Sequence, residues 1–198
     1  MEGMDAMEIA KLIAGSSFVA AVTTTLITAF KEKLARADER ERAAEVEAIF
    51  LVRELDLLAV NCANAIREHE EIYHQLRHTP DVSGYPGCAQ PELTIIKAAL
   101  EKIDKSIGAK LAWLENEVRL GMDHIRSAWW HDALEVDEAH EQQCNLVGYF
   151  GNKALKIARE LRAKYGLPSD HYQWGMDGVE ELLANYSRDA KKFLKRVG

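Results

Sequence analysis

The sequence predicts an all-α protein: an N-terminal transmembrane helix that continues into a cytoplasmic antiparallel four-helix bundle. Three observations predict it. Residues 12–30, LIAGSSFVAAVTTTLITAF, carry no charged side chain, and Lys11 and Lys31 bracket them. From residue 7 to residue 77 there is no proline, and no glycine after Gly15. Beyond residue 45, apolar side chains recur every three or four positions in successive stretches, the period of a helix with one buried face.

The first element is the anchor. At about 1.5 Å per residue, its length covers roughly 29 Å, close to the roughly 30 Å hydrocarbon core of a bilayer. Serines and threonines lower its hydropathy, but their hydroxyls can bond back to helix carbonyls. The alternative is a buried core helix. Ser17, Ala21, Thr25 and Ala29 form a row of small residues, while Leu12, Val19, Val22, Leu26 and Phe30 face the other way. Small residues let helix backbones approach in lipid, so this row is the candidate self-association face. Lys31, Lys33, Arg36, Arg40 and Arg42 follow the span and only Lys11 precedes it. The positive-inside rule then puts residues 1–11 outside and the C-terminal part in the cytoplasm of a single-pass inner-membrane protein.

Residues 31–45 mix five basic and five acidic side chains and read as a solvated helical stalk, supported by Glu32–Arg36 and Asp38–Arg42 pairs. Residues 46–198 form the bundle. Val52, Leu55, Ala59, Cys62, Ile66, Tyr73 and Leu76 line the first face at heptad spacing, interrupted by His69. Three prolines and two glycines in 79–91 end that helix, and Pro91 suits the start of the next. The stripe from Ile96 to Trp129 is one helix or two, broken near Gly108. Asp137 can cap a third helix, with Val147, Phe150, Ala154, Ile157 and Leu161 inside. Gly148 and Gly151 in its interior point to close helix contact. Gly166 and Pro168 stop it, and Asp177 can cap the last helix. In an up-down-up-down bundle that helix returns toward the membrane. Its basic end (Lys191, Lys192, Lys195, Arg196) then either complements the helix dipole or touches anionic lipid.

Composition narrows function. The 198-residue chain has a formal net charge of −7 and no basic stripe with interleaved aromatics, so nucleic acid is not an expected partner. Cys62, Cys88 and Cys144 are an odd, widely spaced set with no CxxC, as for reduced thiols. Cys62 lies on an apolar stripe and reads as packing. Cys88, beside prolines and glycines, is the most reactive candidate. No Gly-rich phosphate loop or cofactor motif is present. Glu71, His74 and His78 share a helix face and are the candidate metal ligands. A di-iron site would need a second Glu-x-x-His, and Asp137-x-x-His140 has the wrong acid. With Cys144 it suits zinc better. Exposed or capping histidines are the plainer reading. Trp130, rotated off the core stripe beside Trp129, is a candidate partner contact.

Gly148-Tyr149, LKIARELRAKYGLP (155–168), Trp174, LAVNCANAI (58–66) and NEVRL (116–120) resemble segments of small bacterial single-span, membrane-anchored helical proteins of no assigned activity. The resemblance implies an N-terminal span with a helical cytoplasmic part, and no chemistry.

The expected function is therefore non-catalytic: a membrane-anchored helical scaffold, adaptor or accessory subunit, oligomeric, holding a protein partner at the bilayer. The competing classes are a metal-binding helical enzyme or sensor, which would hold metal, and a membrane-active phage- or toxin-related small protein, whose effect would depend on the span alone.

Overall fold

The proline-free stretch from residue 7 to residue 76 is one unbroken helix. The computed structural model describes residues 6–76, 87–95, 97–130, 136–168 and 176–197; the side chains of 6–27, 76, 128–130, 136–137, 177 and 194–197 fall outside the described set. Among the described residues the chain forms five helices and no strand: α1 Ala6–Leu76, α2 Lys97–Lys102, α3 Lys105–Trp130, α4 Val136–Tyr165 and α5 Met176–Val197. It divides into two units, Met1–Ala43 and Ala44–Gly198.

The first unit is helical backbone. Every side chain described in it is exposed, Phe30 and Leu34 included. Arg36–Glu32 at 3.5 Å and Arg42–Asp38 at 2.9 Å are the expected i,i+4 pairs, each worth only about 0.3–0.5 kcal/mol in solvent. Among the described residues no helix is long and apolar enough to cross a membrane. Most of 12–30, where the anchor is expected, has side chains outside the described set.

The second unit is a helical bundle, with burial beginning at Ala44. Its helix directions depart from expectation. Asp56, Cys62 and His69 on α1 meet Arg162, Gly151 and His140 on α4, so those helices are antiparallel. Lys110–Glu160 and Lys153–Glu117 make α3 and α4 antiparallel as well. Arg159–Glu180 and Gly148 against Tyr186 do the same for α4 and α5. α1, α3 and α5 therefore all run one way and α4 runs the other. This is not the up-down-up-down order expected, and the last helix does not run back along the direction of the first. The reason is the non-helical segment 87–95. It passes from Gly87, seated against Gln143 of α4, to Leu93 and Ile95, beside Leu51 and Leu55, and so returns the chain to the level where α1 enters the unit.

The stripe 96–129 is two helices, and the break is at Ile103–Asp104 rather than Gly108. Asp104 caps α3: its Oδ1 accepts the Ser106 N–H at 2.9 Å, the Ser106 hydroxyl at 2.7 Å and the Ile107 N–H at 3.3 Å. The Asp104 N–H donates to the Tyr165 hydroxyl at 2.7 Å, tying this corner to the end of α4. Gly108 serves a different need: a Cβ there would lie 3.3 Å from the Leu100 carbonyl oxygen. Pro91 precedes the helix instead of starting it. α4 and α5 begin one residue ahead of Asp137 and Asp177.

α4 ends as its sequence predicts. Gly166 takes φ +63°, and the Leu167 N–H bonds the Arg162 carbonyl at 3.0 Å, a Schellman stop. Its interior glycines mark close contact on two sides. A Cβ on Gly148 would lie 2.2 Å from the Tyr186 Cβ, and one on Gly151 would lie 2.9 Å from both the Cys62 Cβ and Leu183. Gly148→Ala gains up to about 1 kcal/mol of helix propensity but overpacks, which costs about 1–3 kcal/mol or more. We expect denaturant melts to show it destabilised. Gly178→Ala on α5, where a Cβ meets nothing within 4 Å, should be neutral or stabilising.

Candidate functional site

The same close helix contacts assemble a polar cluster. His69 lies two turns after Cys62 on α1 and stays on the buried face, 8% exposed, so it continues the stripe it was expected to interrupt. His140 and Cys144 stand one turn apart on α4 and share a face. Gly148 lets α5 approach, which brings Tyr186 to Glu70: the Tyr186 hydroxyl donates to the Glu70 carboxylate. On the fourth side, a Cβ on Gly87 would lie 2.2 Å from the Gln143 side-chain oxygen. That tight seat sets Cys88, itself buried, beside α4.

His69 is the hinge of the cluster. Its Nδ1 lies 3.3 Å from the Cys144 Sγ and its Nε2 lies 3.4 Å from the His140 Nδ1. The two imidazoles are stacked, with centroids 5.5 Å apart. With the proton of His69 on Nε2, the contacts form a chain: the Cys144 thiol donates to Nδ1, and Nε2–H donates to His140. The chain opens on a cleft of about 630 Å³ lined by His69, Glu70, Tyr73, His140, Cys144 and Tyr186, among others.

Burial keeps this chain uncharged. Desolvation first, then the neighbouring His140, pull His69 below its ordinary value of 6.5, while Glu70 opposes the shift. The neighbouring Cys88 thiol, then burial, push the Cys144 thiol far up. Burial pushes Cys62 to about 12, with Cys88 as a second cause. Tyr186 is raised by burial and by its bond to Glu70. The resting cluster is thus a neutral Cys144 thiol beside a neutral His69 imidazole.

The expected site residues fare unevenly. Glu71 and His74 are exposed near the end of α1, and His74 lines the cleft; His78 lies outside the described residues. Among the described residues, no three His, Cys, Asp or Glu side chains are placed to hold a metal ion. Ala29 is exposed, whereas the side chains of Ser17, Ala21, Thr25 and Trp130 are outside the described set. Cys62 packs as expected. Cys88, the most reactive candidate of the three thiols, is buried at 5%. Sequence reasoning missed His69 and its contact with Cys144 of α4. The available signal was a histidine in register with Cys62 and Ile66 on an apolar stripe.

A second feature lies on α1. Its buried face carries Ala48, Leu51, Val52, Leu55, Leu58 and Ala59, yet Val46, Ile49, Phe50 and Leu57 on the opposite face are 47–54% exposed. Phe50 also borders a mainly apolar groove of about 490 Å³ with Leu93, Ile95 and Leu111. Trp113 on α3 is exposed at 59%. No protein-family model, curated protein or solved structure matches this chain.

The lowered His69 value has a consequence for stability. Between the folded value and 6.5 the unfolded chain binds more protons, so stability rises with pH there. The contribution is complete above about pH 6.5 and is lost as pH falls through the folded value. The melting temperature should therefore drop between about pH 7.5 and 5.5, and His69→Gln should flatten that drop. An equal drop in the variant would assign the effect to other groups.

Proposed function

We propose that this protein is a non-catalytic, membrane-anchored helical scaffold that acts as a homo-oligomer, with residues 12–30 as the span and the helical unit 44–198 on the cytoplasmic side. One observation carries the oligomer: between residues 44 and 59, α1 buries one apolar face and leaves Val46, Ile49, Phe50 and Leu57 exposed on the other. An exposed apolar patch of this kind marks an interaction surface. The occupant proposed is α1 of a second copy.

Magnitudes set how strong that pairing is. Burying a large apolar side chain contributes about 1.5–3 kcal/mol. Four per copy are of the same order as the roughly 4–15 kcal/mol lost on association. Pairing through 46–57 alone is therefore marginal, and the small-residue row Ser17, Ala21, Thr25 and Ala29 is its proposed complement in lipid. The anchor rests on the uncharged run at 12–30 and on the helical backbone that α1 forms through it. The similarity to small single-span helical proteins agrees with this arrangement and adds no activity.

A second reading, a sensor, is favoured by the contacts of His69 with Cys144 and His140 at the cleft, because a scaffold has no need of such a polar cluster.

Two measurements test the scaffold. The full chain should stay with membranes after an alkaline carbonate wash, and deletion of residues 1–30 should release it. In mild detergent, light scattering should show an oligomer that Ile49→Asp/Phe50→Asp reduces to monomer with unchanged helicity. An oligomer unaffected by that pair would remove α1 as the interface.

A further inference from the structure

We propose that a cavity between α3, α4 and α5 binds a neutral medium-chain carbonyl compound, a ketone or ester. Its alkyl chain fills the apolar part, and its carbonyl oxygen accepts a hydrogen bond from the Gln142 amide. This goes beyond the scaffold reading and does not depend on it.

Two features carry the proposal. The first is the cavity itself. It holds about 300 Å³, at the lower end of the roughly 300–1,000 Å³ of small-molecule sites. Leu120, Ile125, Leu146, Phe150 and Phe193 make its lining largely apolar. α3 closes one side through Gly121, where a Cβ would lie 2.7 Å from Leu146. The second feature is Gln142, a polar side chain on that lining that is only 9% exposed. Its Oε1 accepts from the Asn145 amide nitrogen at 3.4 Å. Asn145 does not line the cavity, so the oxygen is turned away and the Gln142 amide nitrogen is left to the cavity. Among the described residues nothing accepts from that nitrogen. A buried N–H donor without an acceptor is costly, and a ligand that brings one recovers that cost.

Charge selects the class of ligand. No lysine or arginine lines the cavity. Its one carboxylate, Glu117, is already paired with Lys153. His124 lines it too, but as an exposed side chain in contact with solvent. A carboxylate drawn in to Gln142 would therefore lose water without gaining a counter-charge, whereas a neutral carbonyl pays no such penalty. Size selects the chain. Gln142 and Tyr149 stand about two turns apart on α4, roughly 10 Å, and the apolar side chains lie between those levels. A medium-length alkyl chain spans that distance.

The test titrates 2-octanone, octanoate and octane, near neutral pH, into the full chain in lipid nanodiscs with its isoleucine and leucine methyl groups labelled for NMR. The expected result is a saturable shift of the Leu120, Ile125 and Leu146 methyl signals with 2-octanone, and half-saturation by octanoate only at roughly tenfold higher concentration. Gln142→Leu keeps an apolar side chain in place and removes the donor. It should bind 2-octanone roughly tenfold more weakly and octane no more weakly, and the retained octane site shows that the variant is folded. Partition into the bilayer is the same for both chains and cancels in that ratio. Leu120→Lys, at a rim position 53% exposed, supplies the missing cation and should narrow the gap between octanoate and 2-octanone. Three results would overturn the proposal: no saturable shift at these methyl groups, octanoate binding as tightly as 2-octanone to the wild-type chain, or Gln142→Leu binding 2-octanone as the wild-type chain does.

Discussion

The near contact of α4 with two other helices is the constraint on which the rest of the second unit depends. Gly148 and Gly151 each lack the Cβ that would strike Tyr186 on α5 or Cys62 on α1. Glycine in a helix interior costs about 1 kcal/mol relative to alanine, so two such residues so close together are stable only if packing returns more. What it returns is visible along α4, where Cys144, Leu146, Val147, Phe150, Ala154, Leu155, Ile157, Ala158 and Leu161 are all buried. At its far end Arg162, 8% exposed, pairs with Asp56 of α1 and holds the same alignment with charge. A buried guanidinium left without its carboxylate would cost several kcal/mol, so that pair selects register more than it adds stability.

The polar cluster follows from that alignment. Once α4 lies antiparallel to α1 at this distance, His140 and Cys144 face His69, and Tyr186 reaches Glu70. Polar groups this deep are tolerated because each has a partner, and because burial holds the imidazole and the thiols in their neutral forms. A neutral hydrogen-bonded chain costs little in a weakly polar interior, whereas a thiolate–imidazolium pair there would need compensating donors.

How much was legible depended on the range of the interaction. The helices of the second unit, the stop at Gly166 and the close contact at Gly148 and Gly151 all follow from local rules of period, φ and side-chain size. The split at Asp104 was missed although the cap is local, because the apolar stripe continues in step across it and period alone cannot see a break. His69 was misread for a related reason. A polar residue on an apolar stripe looks like an interruption until the other helices supply its partners. The burial of Cys88 was not legible because prolines and glycines indicate a turn but not whether the turn is covered.

By itself the sequence determined that the chain is helical, where its buried faces lie, and that residues 12–30 form an uncharged run with small residues along one side. These properties rest on interactions within a turn or two of helix, and neighbouring residues suffice to set them. Only the tertiary structure decided that α1, α3 and α5 share one direction, that the segment 87–95 brings the chain back beside Leu51 and Leu55, and that α1 and α4 meet at His69. Helix period specifies which face is buried but not against what. That choice is made by the length of a connection and by the two glycines that let α4 come close.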